Sequence, residues 1–385
     1  MTKAVYLHVP FCEQICHYCD FNKFFLENQP VDEYLSLCEK EIQHTVAAFP
    51  TEEVNSIYVG GGTPTALTTA QLKKLLKAVK ENFSIGADYE WTVEVNPGSA
   101  DLEKFKMMKE IGVNRLSIGA QTFDKGLLQK IGRDHQPHDV EETINSAREA
   151  GLTNLSVDLM FGLPGQTMEQ LQSTLEQVVA LPIEHISAYG LKVEEKTVFY
   201  QLWRKGKLTL PGEDIEADMY EELCRQLSNA GFQQYEISNF AKPGCESSHN
   251  LTYWKNEEYY GIGAGAHSYV GGTRRINHGP LPKYMKAVKE TGFPYREEHK
   301  VTLKESMEEE MFMGLRKLSG VSKEDFLRKY GMEIKEVFSK LPDLTEAGLL
   351  EEDKTSLKLT EKGLILGNEV FEWFLLPDDK KDERI

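Results

Sequence analysis

Residues 9–21 read VPFCEQICHYCDF, and three of the chain's six cysteines fall inside them as Cys12, Cys16 and Cys19. The preceding run, Ala4–Val9, is apolar and partly β-branched, which predicts a strand delivering the three thiols onto one loop. A structural zinc site takes four ligands, commonly from two C-x2-C pairs, and the sequence has no second pair. An electron-transfer iron–sulfur cluster is normally held by four cysteines. Three neighbouring thiolates leave one metal position open, as chemistry at a metal requires. The competing explanation is three unrelated buried thiols. Single buried cysteines are common, but three on one loop between Pro10 and Asp20 are hard to explain by packing.

Outward from this loop the first half of the chain repeats one theme: a β-branched run, a glycine-rich or polar loop, then a helical stretch. Strands are expected at Ala4–Val9, Asn55–Gly60, Tyr89–Val95, Asn114–Gly119, Asn154–Met160 and His185–Leu191. Helices are expected at Val31–Ala48, Thr68–Asn82, Asp101–Ile111, Pro137–Ala150 and Thr167–Ala180, with Gly112 and Gly151 placed to end two of them. Alternation of this kind implies parallel pairing through βαβ crossovers. Six units suggest a partial (β/α)6 barrel, and a doubly wound sheet has the same local pattern.

The pattern changes beyond Gly212. A helix is expected over Glu213–Ala230 and a strand over Phe232–Phe240, closing a first domain at residues 1–240. Residues 241–300 are rich in Gly, Asn, His, Tyr and Trp with little periodicity, and read as an irregular connecting segment. Residues 301–385 read as helices near Leu303–Leu318, Lys323–Tyr330 and Glu333–Ser339. A hairpin follows, pairing Leu349–Glu352 with Leu357–Thr360, and then a final helix to Leu375. Helices followed by a hairpin suggest a winged-helix-like domain. Its 14 Lys/Arg against 20 Asp/Glu oppose DNA binding and favour a packing or protein-contact role. The charged end, Pro377–Ile385, is expected to fray.

Composition agrees with a soluble core, with 40% hydrophobic and 27% charged residues. A formal charge of −17 disfavours nucleic acid as a partner. No stretch approaches the ~20 apolar residues of a membrane span. The N-terminus lacks an apolar signal region, and clustered cysteines without a disulfide framework fit a reducing cytoplasm.

Polar residues recur at or near the ends of the expected strands. Val59 runs into Gly60-Gly61-Gly62-Thr63-Pro64-Thr65, where missing Cβ atoms would let backbone N–H groups approach a ligand. On the third strand Trp91, Val93 and Val95 share one face while Thr92 and Glu94 share the other. A carboxylate inside a barrel needs a partner such as an ammonium or a ribose. Gln121 follows strand four, Asp158 lies in strand five, and Arg133 sits in IGRDH. Singly each is best read as an ordinary hydrogen-bonded group; together they suggest a site at the strand ends.

The C-x3-C-x2-C spacing, with Tyr18 before the last cysteine, resembles the signature of the radical S-adenosylmethionine (SAM) superfamily. The resemblance implies a [4Fe–4S] cluster on three cysteines, with SAM chelating the fourth iron and cleaved to a 5′-deoxyadenosyl radical. The phrases VPFCEQICHYCDF, YVGGGTPT, VEVNP, RLSIGAQTF, IGRDH and VDLMFGLPGQT, with the tail domain, resemble the oxygen-independent coproporphyrinogen III oxidase family and its haem-chaperone relatives. By that resemblance Tyr6, Gly61, Gly62, Thr63, Glu94, Gln121, Arg133 and Asp158 correspond to cofactor-contacting positions, and Tyr18 to the aromatic beside the cluster.

Two departures separate this chain from the oxidases. Phe21 stands where they have a further cysteine, and only eleven residues precede Cys12 where they carry an extension. The haem-chaperone branch has an HNxxYW motif, matched by His249, Asn250, Tyr253 and Trp254. A histidine is a common axial haem ligand, and Tyr253 and Trp254 could stack on the macrocycle. His267, after a glycine-rich run, is a weaker second haem contact. Cys38, Cys224 and Cys245 read as ordinary thiols. The expected function is a cytoplasmic haem chaperone passing haem to an acceptor, a respiratory haem protein at the membrane. The alternative is oxidative decarboxylation of coproporphyrinogen III.

Overall fold

The β-branched runs do form strands. In the computed structural model, which describes residues 2–377, they are β1 (Ala4–Val9), β2 (Val54–Gly61), β3 (Ile85–Val95), β4 (Arg115–Gln121), β5 (Asn154–Phe161) and β6 (His185–Gly190). They lie side by side in chain order, and every pair is parallel. A doubly wound sheet reverses its order at a switch point; this one does not, so it is a barrel wall.

Strand alternation sorts the side chains. Val5, Leu7, Val9, Ile57, Val59, Trp91, Val93, Leu116, Ile118, Leu155, Val157 and Ile186 enter one core with the covering helices. Those helices include α1 (Val31–Ala48), α2 (Thr69–Asn82), α3 (Leu102–Ile111), α4 (Pro137–Glu149), α5 (Met168–Val179) and α6 (Glu213–Asn229). The opposite face carries Tyr6, Ser56, Tyr58, Glu90, Thr92, Glu94, Arg115, Ser117, Ser156, Asp158, His185 and Ser187. Successive strands align them as Tyr6–Tyr58–Thr92–Arg115 and Glu94–Ser117–Ser156–His185. The barrel interior is therefore polar, and its groups hydrogen-bond to one another as burial demands.

The region after α6 departs from expectation. The single strand expected over Phe232–Phe240 is two, β7 (Gln233–Glu236) and β8 (Asn239–Ala241), with β8 antiparallel to β6. Residues 241–300 are not an irregular connection. They contribute the helix α7 (Ser248–Trp254), then β9 (Tyr259–Ile262), β10 (His267–Val270), β11 (Thr273–Asn277), the helix α8 (Leu281–Thr291) and β12 (Tyr295–Lys300). Strand β9 pairs parallel with β1, and β10 and β11 extend that edge antiparallel, giving a 12-stranded sheet. The glycines that obscured this reading have packing causes. A Cβ on Gly261 would lie 1.8 Å from the His267 carbonyl oxygen.

The chain divides into two compact units: 1–234, 238–249 and 258–299 in the first, and 235–237, 250–257 and 300–385 in the second. The second has its own core of Met311, Leu315, Phe326, Phe338, Leu344, Leu357 and Phe374, among others. Its expected helices appear as α9 (Leu303–Gly314), α10 (Lys323–Tyr330) and Ile334–Val337, and its hairpin as β14 (Leu350–Glu352) with β15 (Ser356–Leu359), joined by β13 (Val321–Ser322). The expected final helix is broken into Glu361–Ile365 and Gly367–Glu372. Of the end expected to fray, residues 378–385 lie outside the described part.

Candidate cluster and cofactor site

The cysteine loop leaves β1 at Pro10 and is closed by backbone bonds. Phe24 N–H donates to the Pro10 carbonyl at 2.7 Å, and Leu26 N–H to that of Cys12 at 2.9 Å. Asn22 fastens the loop to distant chain: its Nδ2 donates to the carbonyls of Ala264 (2.8 Å) and Gly279 (3.0 Å). Its own carbonyl oxygen lies 2.7 Å from His8 Nε2. Lys23 Nζ caps the Cys19 carbonyl, and Arg133 Nη1 lies 3.7 Å from Cys16 Sγ.

All six cysteines are free thiols. Burial pushes the Cys12 thiol up, and that of Cys19 to about 11, each also raised by neighbouring cysteines of the loop. Thiols so placed need a bound cation to stay deprotonated, and cluster iron would supply one. Among the described residues no group of His, Cys, Asp or Glu is arranged about a single metal ion. Three thiolates that each meet a different iron need not converge on one point. The donor set fits a cluster. Cys38 is apart, buried with its Sγ 3.4 Å from Tyr284 Oη.

Beside the loop, Glu94 occupies the barrel interior. Its Oε1 accepts from Tyr58 Oη (2.9 Å) and its Oε2 from Gly61 N–H (3.0 Å). Burial outweighs these bonds and, with Asp158 nearby, raises its pKa to about 7. Asp158 accepts from Ser117 Oγ at 2.9 Å and is likewise raised by burial. Arg133 donates to Asn96 Oδ1 (3.0 Å) and to the Gly119 carbonyl, while its Nε is buried with no hydrogen-bond partner among the described residues. Arg133, Thr63, Cys16, Asn96 and His135 line a cavity of about 230 Å³. An orphaned guanidinium nitrogen and an inward carboxylate next to the open side of a cluster loop fit the carboxylate and ammonium of an amino-acid cofactor.

The glycine run works differently from the expectation. Its N–H groups are engaged by protein: Gly61 on Glu94, Gly62 on the Val9 carbonyl and Thr63 on that of Phe11, each of the last two at 2.8 Å. Glycine is needed because there is no space. A Cβ would lie 2.6 Å from Glu94 Cδ at Gly60, 2.2 Å from the His8 ring at Gly61 (φ +108°), and 2.6 Å from the Val9 carbonyl oxygen at Gly62. Gln121 also has a left-handed backbone (φ +65°), which turns β4 beside Arg133. Tyr18 packs against the cluster of Leu127, Leu128 and Ile131, and Tyr6 Oη lies 2.9 Å from His8 Nδ1.

His249 does not line the Arg133 cavity. It is 1% exposed in the barrel interior, its Nδ1 2.7 Å from Ser56 Oγ and its ring stacked on Tyr58. Burial, with Arg115 adding, lowers its pKa to about 3, so the imidazole is neutral. Glu90 fixes the start of α7, accepting from Ser247 Oγ, Ser248 N–H and His249 N–H at 3.0–3.2 Å. The motif is divided: His249 belongs to the first unit and Asn250, Tyr253 and Trp254 to the second. In the second, Arg316 lies over the Trp254 ring at 5.1 Å.

Sequence reading missed Tyr58, His8, Asn22 and Asn96. Period-2 alternation from Tyr6 and Gly60 marks the first two as inward; nothing local marks Asn22, whose side-chain partners are over 240 residues away.

A partial barrel with a three-cysteine loop at its mouth and an inward carboxylate beside it defines the radical SAM class. Residues 6–178 match the Radical SAM superfamily, and residues 301–366 the HemN C-terminal domain. Over 375 residues the chain is 52% identical to heme chaperone HemW of Bacillus subtilis, covering 97% of this chain and 99% of that one. It is 34% identical to heme chaperone HemW of Escherichia coli, with 97% and 98% covered. The solved structure of coproporphyrinogen III oxidase (HemN) from Escherichia coli, a radical SAM enzyme, superposes with a TM-score of 0.85 at 27% identity, covering 97% and 90%. The chain belongs to the heme chaperone HemW family.

Proposed function

We propose that this protein is a haem chaperone: it binds a [4Fe–4S] cluster, SAM and haem, and passes haem to an acceptor protein in the cytoplasm or at the membrane surface. Whole-length likeness to chains named heme chaperone carries this reading. Phe21, 62% exposed at the position of the oxidases' further cysteine, adds to it. Cys12, Cys16 and Cys19 hold the cluster. Glu94 meets the SAM ammonium and Arg133 its carboxylate, while Gln121 and Asp158 contact the rest of the cofactor, with Tyr6, Tyr18, Gly61, Gly62 and Thr63 around it. When bound, the cluster supplies an electron and SAM a cleavable sulfonium. This chain's residues orient both and exclude water.

Haem contact is assigned to the HNxxYW segment, with His249 toward iron and Asn250, Tyr253 and Trp254 toward the macrocycle. His249 reaches haem only if the first turn of α7 leaves Glu90 and Ser56. The likeness to HemN favours the second reading, an oxidase. Both are tested together. Purified protein titrated with haem should show a Soret band that His249→Ala alters. Anaerobic incubation of cluster-loaded protein with coproporphyrinogen III, SAM and reductant should give little or no protoporphyrinogen IX; efficient decarboxylation would install the oxidase reading.

A further inference from the structure

Tyr58 belongs to two networks at once. From β2 it projects into the barrel, where its hydroxyl donates to Glu94 Oε1 at 2.9 Å. Its ring stacks on His249 with centroids 5.1 Å apart and planes at 27°. Tyr6 lies beside both, 6.2 Å from Tyr58 and 6.5 Å from His249. The assembly has no slack. A methyl group at Gly60 would lie 2.6 Å from Glu94 Cδ and 2.8 Å from Tyr58 Cε1, so the carboxylate and the ring are wedged together over that glycine. Beyond the ring, the imidazole is held by Ser56 and the following helix by Glu90.

The chemistry of the Glu94 contact depends on what else Glu94 meets. Without a cation nearby the buried carboxyl is held partly protonated, and the Tyr58 bond is then one between neutral groups. An ammonium at Glu94 fixes the ionised form. The bond from Tyr58 becomes charge-assisted, which makes it shorter and roughly twice as strong. A stronger bond restricts the Tyr58 side chain, and the restricted ring is the surface on which His249 rests.

We propose that Tyr58 is a positioning residue that couples SAM at Glu94 to the seating of His249 and the start of α7. The coupling rests on Glu94 as the ammonium partner. Thermodynamic linkage makes it reciprocal: SAM holds His249 in the barrel, and release of His249 weakens SAM by the same factor. If His249 is the haem contact, SAM and haem ligation by His249 oppose each other.

Hydrogen exchange of the peptide spanning residues 246–255 tests this without haem or turnover. Cluster-loaded, oxidised protein is compared with and without saturating SAM, saturation being set by calorimetry. In the unmodified protein SAM should slow exchange by about fivefold or more, the lower end of ordinary coupling. Tyr58→Phe keeps the ring and loses the hydroxyl, and there the slowing should fall below about twofold. Tyr89→Phe removes a hydroxyl from the neighbouring strand β3, one bonded to the Gly112 carbonyl, and should behave as the unmodified protein. His249→Ala should weaken SAM binding by the factor that the exchange measures. Equal exchange with and without SAM, or full slowing in Tyr58→Phe, overturns the proposal. Normal SAM affinity in Glu94→Ala overturns the ammonium assignment, and the coupling falls with it.

Discussion

Cys12, Cys16 and Cys19 differ from Cys38 in what surrounds them. The three share a loop in which each thiol is raised partly by the others or sits beside Arg133, whereas Cys38 is sealed against Tyr284. Alanine at any of the three should remove most of the ~4 irons expected per chain, assayed on anaerobically prepared protein. Cys38→Ala should leave iron intact, and equal loss there would undo the ligand assignment. Glu94 makes a second prediction. Its pKa of about 7 reflects burial, and an ammonium needs the ionised form. SAM affinity should therefore rise as pH climbs through about 7 and level off above it, while Glu94→Gln should flatten the profile and weaken binding about tenfold or more. In the ligand-free protein the same raised value removes stability as pH rises from the ordinary 4.5 toward 7. The inward carboxylate was legible because strand alternation is strict; the orphaned Nε of Arg133 was not, because the neighbours of its guanidinium, Cys16, Asn96 and Gly119, come from three separate parts of the chain.

At the scale of elements, helices and parallel strands were read to within a few residues because both faces of each unit repeat a simple pattern. Helix α1 was found at Val31–Ala48, as expected. Strands β9 to β12 were not read. They are short, and Gly261, His267, Tyr269 and Arg274 interrupt any apolar series; β9 is a strand by pairing with β1, and β10 and β11 by pairing in turn onto β9 and β10. The start of α7 depends on one side chain from another element. Glu90 accepts three donors there, with Arg115 Nε 4.0 Å behind it. Glu90→Ala strands those donors and a buried guanidinium, so chemical denaturation should show a loss of about 3 kcal/mol. Glu90→Gln keeps one acceptor oxygen and should cost clearly less. Equal costs would mean that packing, not the cap, holds α7.

Among the described residues the two largest hydrophobic cores lie one behind the barrel wall and one in the HemN C-terminal domain. Calorimetry should resolve two transitions. SAM at about 100 times its Kd adds about 2.7 kcal/mol to whatever binds it, so only the barrel transition should move. Equal movement of both would make the chain one cooperative unit. No helix among the described residues is long and apolar enough to cross a membrane. The clasp on the cysteine loop has a temporal side. Asn22 is tied to the carbonyls of Ala264 and Gly279, the second of them 257 residues downstream. At about 5–20 residues per second of synthesis, the thiols leave the ribosome roughly 10–50 s before that anchor exists. For that interval the nascent chain carries three cysteines on an unclosed loop, open to oxidants and to stray metal ions. Cluster loading that waits for Gly279 enters a finished cradle, and the first motif in the chain is completed only by chain made far later.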